Sequence, residues 1–327
     1  MFLKSKPRPR TPAQGFGFVE LVGGSSRVII IPALGGKIAA MEMAGRQWLW
    51  QNEKMPFSEP VDGASYVDTA DSGGYDECFP TVAPCHLPGH IKRYGGLQLP
   101  DHGELWSQAA EVRVETHDEG PRARTEWLGR RMAYRFAREV SVTSDGAVTM
   151  RYEVTNTGAE RLPFLWSAHP LLSLTPDTHI ELPSGSRLRV AAQHGIDLTL
   201  MGSDARWPRL RTTSGEADLS HPDSVARRYA CKVFVDLTAG HAAVVERDTR
   251  LDVEFDAREV PNFGLWINKG EWGPKRARYT NVGFEPCIGA PDSLSEAIGA
   301  WQSAHWLAPD ETRRWSLRWT AMPRTPT

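Results

Sequence analysis

Two imidazoles and a carboxylate stand in short words that interrupt regular structure: Asp101-His102-Gly103-Glu104-Leu105-Trp106, Trp166-Ser167-Ala168-His169-Pro170-Leu171 and Gly283-Phe284-Glu285-Pro286. Brought together, such groups could take a proton from one oxygen and deliver one to another. A fourth word, Phe263-Gly264-Leu265-Trp266-Ile267-Asn268, offers an indole whose apolar face can stack on the C–H face of a sugar ring. Glu285 closes an apolar run. Desolvation raises the pKa of a half-buried carboxylate, which suits a general base, although the same Glu could serve a structural ion pair. Pro170 steers His169 away from αR geometry. The imidazole can then be aimed into a concave face, or be held by a carbonyl in the core. Gly103 removes side-chain bulk beside His102, which can reach a ligand there or pair with Asp101 or Glu104.

A second group of polar residues lies in Ser72-Gly73-Gly74-Tyr75-Asp76-Glu77-Cys78-Phe79-Pro80. Asp76 and Glu77 could hold sugar hydroxyls or cap a turn. Nearby, Cys78, Cys85, His86 and His90 follow the spacing Cys-x6-Cys-His-x3-His, which fits no standard zinc motif. No metal and no organic cofactor is expected. Nor does the chain hold a phosphate loop, a nucleotide fingerprint or a nucleophile elbow.

The wider composition narrows the function classes. Among 327 residues, 38 Lys and Arg face 40 Asp and Glu, with both signs scattered. That balance argues against nucleic acid as a partner and leaves a small molecule as the expected one. No run of about 18 apolar residues is present, so no membrane-spanning helix is expected. The N-terminal Met1-Phe2-Leu3-Lys4-Ser5-Lys6-Pro7-Arg8-Pro9-Arg10 is basic and Pro-rich without an apolar stretch behind it, unlike a secretory signal. Four sparse cysteines, Cys78, Cys85, Cys231 and Cys287, then read as reduced thiols in the cytoplasm. Composition does not address the oligomeric state.

The elements that must position these residues are strands. Tyr134, Phe136, Val140 and Val142 alternate with polar neighbours, as do Val148, Met150, Tyr152 and Val154. Ser144-Asp145-Gly146 between them signals a hairpin. Residues 109–115 and 124–127 form another pair around Asp118-Glu119-Gly120-Pro121. Further strands are expected at 178–182, 186–191, 230–237, 242–247, 250–256, 263–267, 280–285 and 314–320, and a short helix at 293–300. Many short strands with Gly and Pro between them predict an all-β sandwich or barrel. No composition shift marks a linker. One domain over 1–327 is expected, frayed at 1–14 and 322–327. Two long irregular stretches, 51–108 and 192–229, are candidates for functional loops.

Taken in order, these words resemble the aldose 1-epimerase, or galactose mutarotase-like, family. The resemblance rests on His102-Gly103, then Ser167-Ala168-His169-Pro170, then Phe284-Glu285-Pro286. It extends to Ile31-Pro32-Ala33-Leu34-Gly35-Gly36-Lys37-Ile38, similar to the family's opening hairpin. Leu307-Ala308-Pro309-Asp310-Glu311-Thr312-Arg313-Arg314-Trp315 is similar to its closing turn and strand. The resemblance covers about residues 17–320. It implies a large antiparallel β-sandwich with a concave sugar-binding face, and interconversion of sugar anomers by acid/base ring opening. It further implies Glu285 as general base, His169 as general acid and His102 as the second active-site His. Trp266 would be a stacking wall, with Asp76 and Glu77 on ring hydroxyls. The chain departs from the family where an Arg is usual: Ser72-Gly73-Gly74 and the acids Asp76 and Glu77 occupy that place. Neutral or cationic sugars are therefore expected over phosphorylated ones, unless Arg93 folds over the site. The family's mid-chain substrate-binding Asp has only Asp197 and Asp236 as counterparts. Two other readings of the same residues are a non-catalytic carbohydrate-binding or sensor protein, and a glycoside hydrolase or lyase relative. The hydrolase would need Glu285 and a second carboxylate such as Asp76 or Glu77.

Overall fold

A computed structural model describes residues 13–198, 205–213, 215–273 and 278–324. The chain lays down β1 (Val19–Gly23), β2 (Ser26–Ile31), β3 (Lys37–Met43), β4 (Arg46–Gln47), helix α1 (Tyr66–Thr69), β5 (Tyr75–Cys78), β6 (Cys85–His86) and β7 (Gln98–Leu99). Then come β8 (Glu111–His117), β9 (Gly120–Leu128), β10 (Tyr134–Val142), β11 (Val148–Asn156), β12 (Leu162–Phe164), β13 (Trp166–Ser173), β14 (His179–Glu181) and β15 (Arg187–His194). Last are β16 (Arg209–Thr212), β17 (Gly215–Asp218), β18 (Ala230–Asp236), β19 (His241–Val245), β20 (Thr249–Glu254), β21 (Asn262–Lys269), β22 (Thr280–Ile288), helix α2 (Leu294–Ile298), β23 (His305–Leu307) and β24 (Thr312–Pro323).

The strands build two large antiparallel sheets. One is ten-stranded, in the order β1-β2-β3-β5-β13-β22-β21-β18-β15, with β4 on β3. The other is eight-stranded, in the order β14-β19-β20-β24-β11-β10-β9-β8. The alternation that marked the hairpin at 144–146 is what buries it: Phe136, Val140, Met150, Tyr152 and Val154 all face the core. Aromatic rings close the space between the sheets. Trp166 lies 4.9 Å from Trp315, and Tyr75 lies 6.2 Å from Trp319. The expected all-β sandwich is therefore present. No described helix is long and apolar enough to cross a membrane.

The irregular stretch at 51–108 holds more order than its composition suggests, with α1, β5 and the β6–β7 hairpin inside it. Ser65 caps α1 by accepting a hydrogen bond from the Asp68 amide. Of the ends expected to fray, residues 1–12 and 325–327 lie outside the described residues. Ala13 is buried, the Phe57 amide donates to Gln14, and Met322 and Pro323 pair with Arg250 and Thr249.

Candidate active site

The middle of the ten-stranded sheet brings the separated words together. β13 pairs with β5 on one side and with β22 on the other, and β22 pairs with β21. Successive side chains on a strand point to opposite faces. On the face turned away from the eight-stranded sheet lie Asp76 and Cys78 from β5, Ser167 and His169 from β13, Lys232 from β18, Trp266 from β21 and Glu285 from β22. A cavity of about 380 Å³ opens there, with His102, His169, Lys232, Trp266 and Glu285 in its wall. That volume lies within the usual range for small-molecule sites.

Glu285 is fully buried, and its two oxygens differ. Oε2 accepts from Lys232 Nζ at 2.5 Å and from the Ser167 hydroxyl at 3.2 Å. Oε1 has no hydrogen-bond partner and lies 4.0 Å from His169 Nε2, too far for a direct bond. Burial raises the Glu285 pKa, and the Lys232 ammonium opposes the rise. Burial would lower Lys232, but Asp292 at 3.3 Å and Glu285 hold it above its ordinary value. The pair is thus an ion pair in the resting site. Gly283 and Gly264 make room for it: a Cβ on Gly283 would overlap Glu285 Oε1, and one on Gly264 would stand 3.2 Å from Oε2.

His169 is pushed well below the ordinary imidazole range, first by burial and then by the charges of His102, Lys232 and Lys37. The neutral imidazole is its resting form. His102 sits in the left-handed region at φ 56°, followed by Gly103 at φ 72°. That conformation is uncommon for a residue with a Cβ and turns the ring inward. Its Nδ1 pairs with Asp101 Oδ1 at 2.8 Å, and Asp101 Oδ2 accepts the Tyr66 amide at 2.8 Å. Burial tends to raise Asp101, but the His102 contacts bring it below the usual carboxylate value. The Tyr66 ring stacks on His102 with centroids 4.0 Å apart and meets His169 edge-on at 5.7 Å. Tyr66 from α1 thus braces both histidines.

The two adjacent acids expected on ring hydroxyls part company. Glu77 points into the space between the sheets, where Arg138 and the Tyr152 hydroxyl donate to Oε1 at 3.1 Å each and Trp166 Nε1 donates to Oε2 at 2.9 Å. It cannot touch a ligand in the cavity, and it cannot be the second carboxylate of a hydrolase there. Asp76 is on the cavity side of the sheet but is closed off by an ion pair with Lys37 and by the Tyr66 hydroxyl at 2.6 Å. The spacing of two in a strand decides this, so neighbours cannot share a face. Trp266 does line the cavity, joined at its edge by Trp272 at 5.8 Å. Asp197 and Asp236 do not line it, and Asp236 pairs with Arg189 and Asn262. Arg93 is exposed and also lies outside the lining.

Sequence reasoning missed Lys232, Asp292, Tyr66 and Asp71, which accepts a hydrogen bond from the Tyr279 hydroxyl on the cavity wall. Lys232 did carry a signal, as a lone cation in Ala230-Cys231-Lys232-Val233-Phe234-Val235. All four cysteines are free thiols. Cys78 does not gather with Cys85, His86 and His90; its sulfur lies with ring nitrogens of His102 and His169, all within 4.8 Å of one another.

Similarity to solved structures identifies the architecture. The Slr1438 protein from Synechocystis sp. PCC 6803 superposes with a TM-score of 0.67 at 16% identity, over 99% of this chain and 100% of that one. A galactose mutarotase-like protein from Clostridium acetobutylicum gives 0.64 at 12% identity, over 94% and 95% of the two chains. The chain has the galactose mutarotase-like fold. A galactose mutarotase related enzyme from Lactobacillus acidophilus gives 0.62 at 16%, over 95% and 98%. No family model matches the sequence, and no curated protein does. At these identities the likeness extends to the fold alone. On the galactose mutarotase-like fold, function is argued from the site.

Proposed function

We propose that this protein is an aldose 1-epimerase, interconverting the α and β anomers of a free sugar in its central cavity. One observation carries the reading. Glu285 Oε1, buried and unpartnered, faces His169 Nε2 across 4.0 Å on the cavity wall. A base and an acid so placed can serve two oxygens on one anomeric carbon.

Glu285 Oε1 takes the proton of the anomeric hydroxyl. His169, in the minority of molecules that carry it protonated, gives its proton to the ring oxygen. The bond between the anomeric carbon and the ring oxygen breaks, and an aldehyde and a chain hydroxyl form. Rotation about C1–C2 presents the other carbonyl face, and the same transfers run backwards. Burial lifts Glu285 and depresses His169, so their proton affinities converge. Convergence suits a reaction whose forward and reverse directions use the same two groups. Lys232 keeps Glu285 ionised, Asp101 orients His102 toward the sugar, and Trp266 offers its face for stacking. The free thiols fit work in a reducing cytoplasm.

Polarimetry on freshly dissolved α-anomers tests this. Wild-type protein should speed the drift of rotation for at least one sugar in a panel of free hexoses and pentoses. Glu285→Gln should lose that acceleration while still binding the sugar. A protein that binds sugar but never changes the rate of drift would be a carbohydrate-binding module instead.

A further inference from the structure

We propose that Cys78, His102 and His169 form a binding site for one soft divalent cation such as zinc, and that filling it switches the cavity off. The three side chains come from separate places: β5, the loop before β8, and β13. Their ligand atoms nevertheless lie within 4.8 Å of one another. In a tetrahedral zinc site with bonds of about 2.0–2.3 Å, neighbouring N and S ligands sit about 3.4–3.6 Å apart. Drawing the group together by about 1 Å would satisfy that geometry.

A second observation points to a metal. His102 gives Nδ1 to the Asp101 carboxylate at 2.8 Å, which leaves Nε2 as the free nitrogen. A carboxylate behind a histidine is the usual support for a metal ligand, fixing its tautomer and raising its basicity. The nearby cations are already compensated, Lys232 by Glu285 and Asp292 and Lys37 by Asp76. One thiolate and two imidazoles favour zinc or cobalt over magnesium. Binding releases the Cys78 thiol proton to solvent. With three protein ligands, the fourth position opens into the cavity that His102 and His169 line.

Inhibition rests on the epimerase reading, since a metal on His169 and His102 would occupy the cavity wall that the sugar must meet. Binding does not rest on it, so the two are measured separately. Chelator-treated wild-type protein is titrated with zinc, cobalt(II) and magnesium. Zinc should bind at one equivalent, cobalt should add a near-ultraviolet thiolate-to-cobalt band, and magnesium should do neither. Cys78→Ser should lose the band, and Asp101→Asn should weaken zinc binding about 10–100-fold. Zinc-edge X-ray absorption of the wild type, which needs no variant, should report one sulfur and two nitrogens. A wild type without the band, or a folded Cys78→Ser that binds zinc as tightly, would overturn the site. In polarimetry, zinc should stop wild-type turnover, chelator should restore it, and Cys78→Ser should turn over with or without zinc. Zinc bound at Cys78 with full turnover would overturn the switch and leave the site. A bound metal in a protein that never turns over sugar would instead sink the epimerase reading.

Discussion

Glu285 has an oxygen to spare because Lys232 and Ser167 occupy only the other one. Glu285→Gln keeps the shape and removes the proton acceptor, so turnover should fall by about 10²–10⁴-fold with sugar affinity retained. Stopped-flow polarimetry beside calorimetric sugar titration checks both halves. The pH profile follows from the two displaced groups. Glu285 must be ionised, with a pKa raised from 4.5; His169 must be protonated, with a pKa lowered from 6.5. The limbs of kcat/KM therefore belong to the pair, and the optimum should fall on the acid side of neutrality. A plateau from pH 7 to 9 would contradict this. These two residues were legible from type and local break alone, since each closes an apolar run beside a proline. Lys232 showed only as a lone cation in an apolar run, with nothing local to say which group it meets. Only the pairing of β18 with β21, and of β21 with β22, sets it beside Glu285.

At the scale of the strand, alternation decides who meets the ligand. β5 carries Asp76 and Glu77 in succession, and reading both as sugar contacts ignored that they must diverge. Glu77 instead joins the sheets through Arg138. Burial raises Glu77 to about 7, against the pull of Arg138, Trp166 and Tyr152. The native state then holds that proton more tightly than the unfolded chain. This contribution favours folding below pH 4.5 and is lost as pH rises through 7. Arg138→Met should destabilise by about 3–5 kcal/mol, as expected when one partner of a buried pair is removed. It should also lift Glu77 further, so the deficit should be larger at pH 8 than at pH 6. Urea unfolding at both values measures it, and an equal deficit at the two would show that Glu77 does not titrate there. β22 makes a complementary case. Gly283→Ala places a methyl against Glu285 Oε1, so turnover should drop toward that of Glu285→Gln. The strands were readable because period-two patterns are local. The order β5-β13-β22-β21-β18 was not, because hydrogen bonding between distant strands leaves no mark in either one's pattern.

Across the whole molecule, charge at the cavity bears on what enters. Asp71, Asp101, Asp292 and Glu285 line it against Lys232 alone among the described lysines and arginines. The expectation of neutral or cationic sugars now rests on different residues from those that first suggested it. Glucose and galactose should be turned over with at least about tenfold higher kcat/KM than their 6-phosphates, since one like charge near 4 Å costs about 1 kcal/mol in water and about 4 kcal/mol at a dielectric of 20. A reversed preference would bring Arg93 over the site after all. The cavity is also made of two kinds of material. Glu285 and His169 stand on hydrogen-bonded strands in the middle of the largest sheet, and Lys232 on a paired strand nearer its edge. Asp71, Asp101, His102 and Asp292 stand on connecting segments around the cavity. The two should breathe on different clocks. Strand amides in β13 and β22 should exchange with deuterium only through global opening, while those near Asp71 and His102 should exchange through local excursions. A sugar could then come and go through movements of the rim that leave the proton-transfer pair undisturbed, and variation in the rim could change the guest without retuning the chemistry.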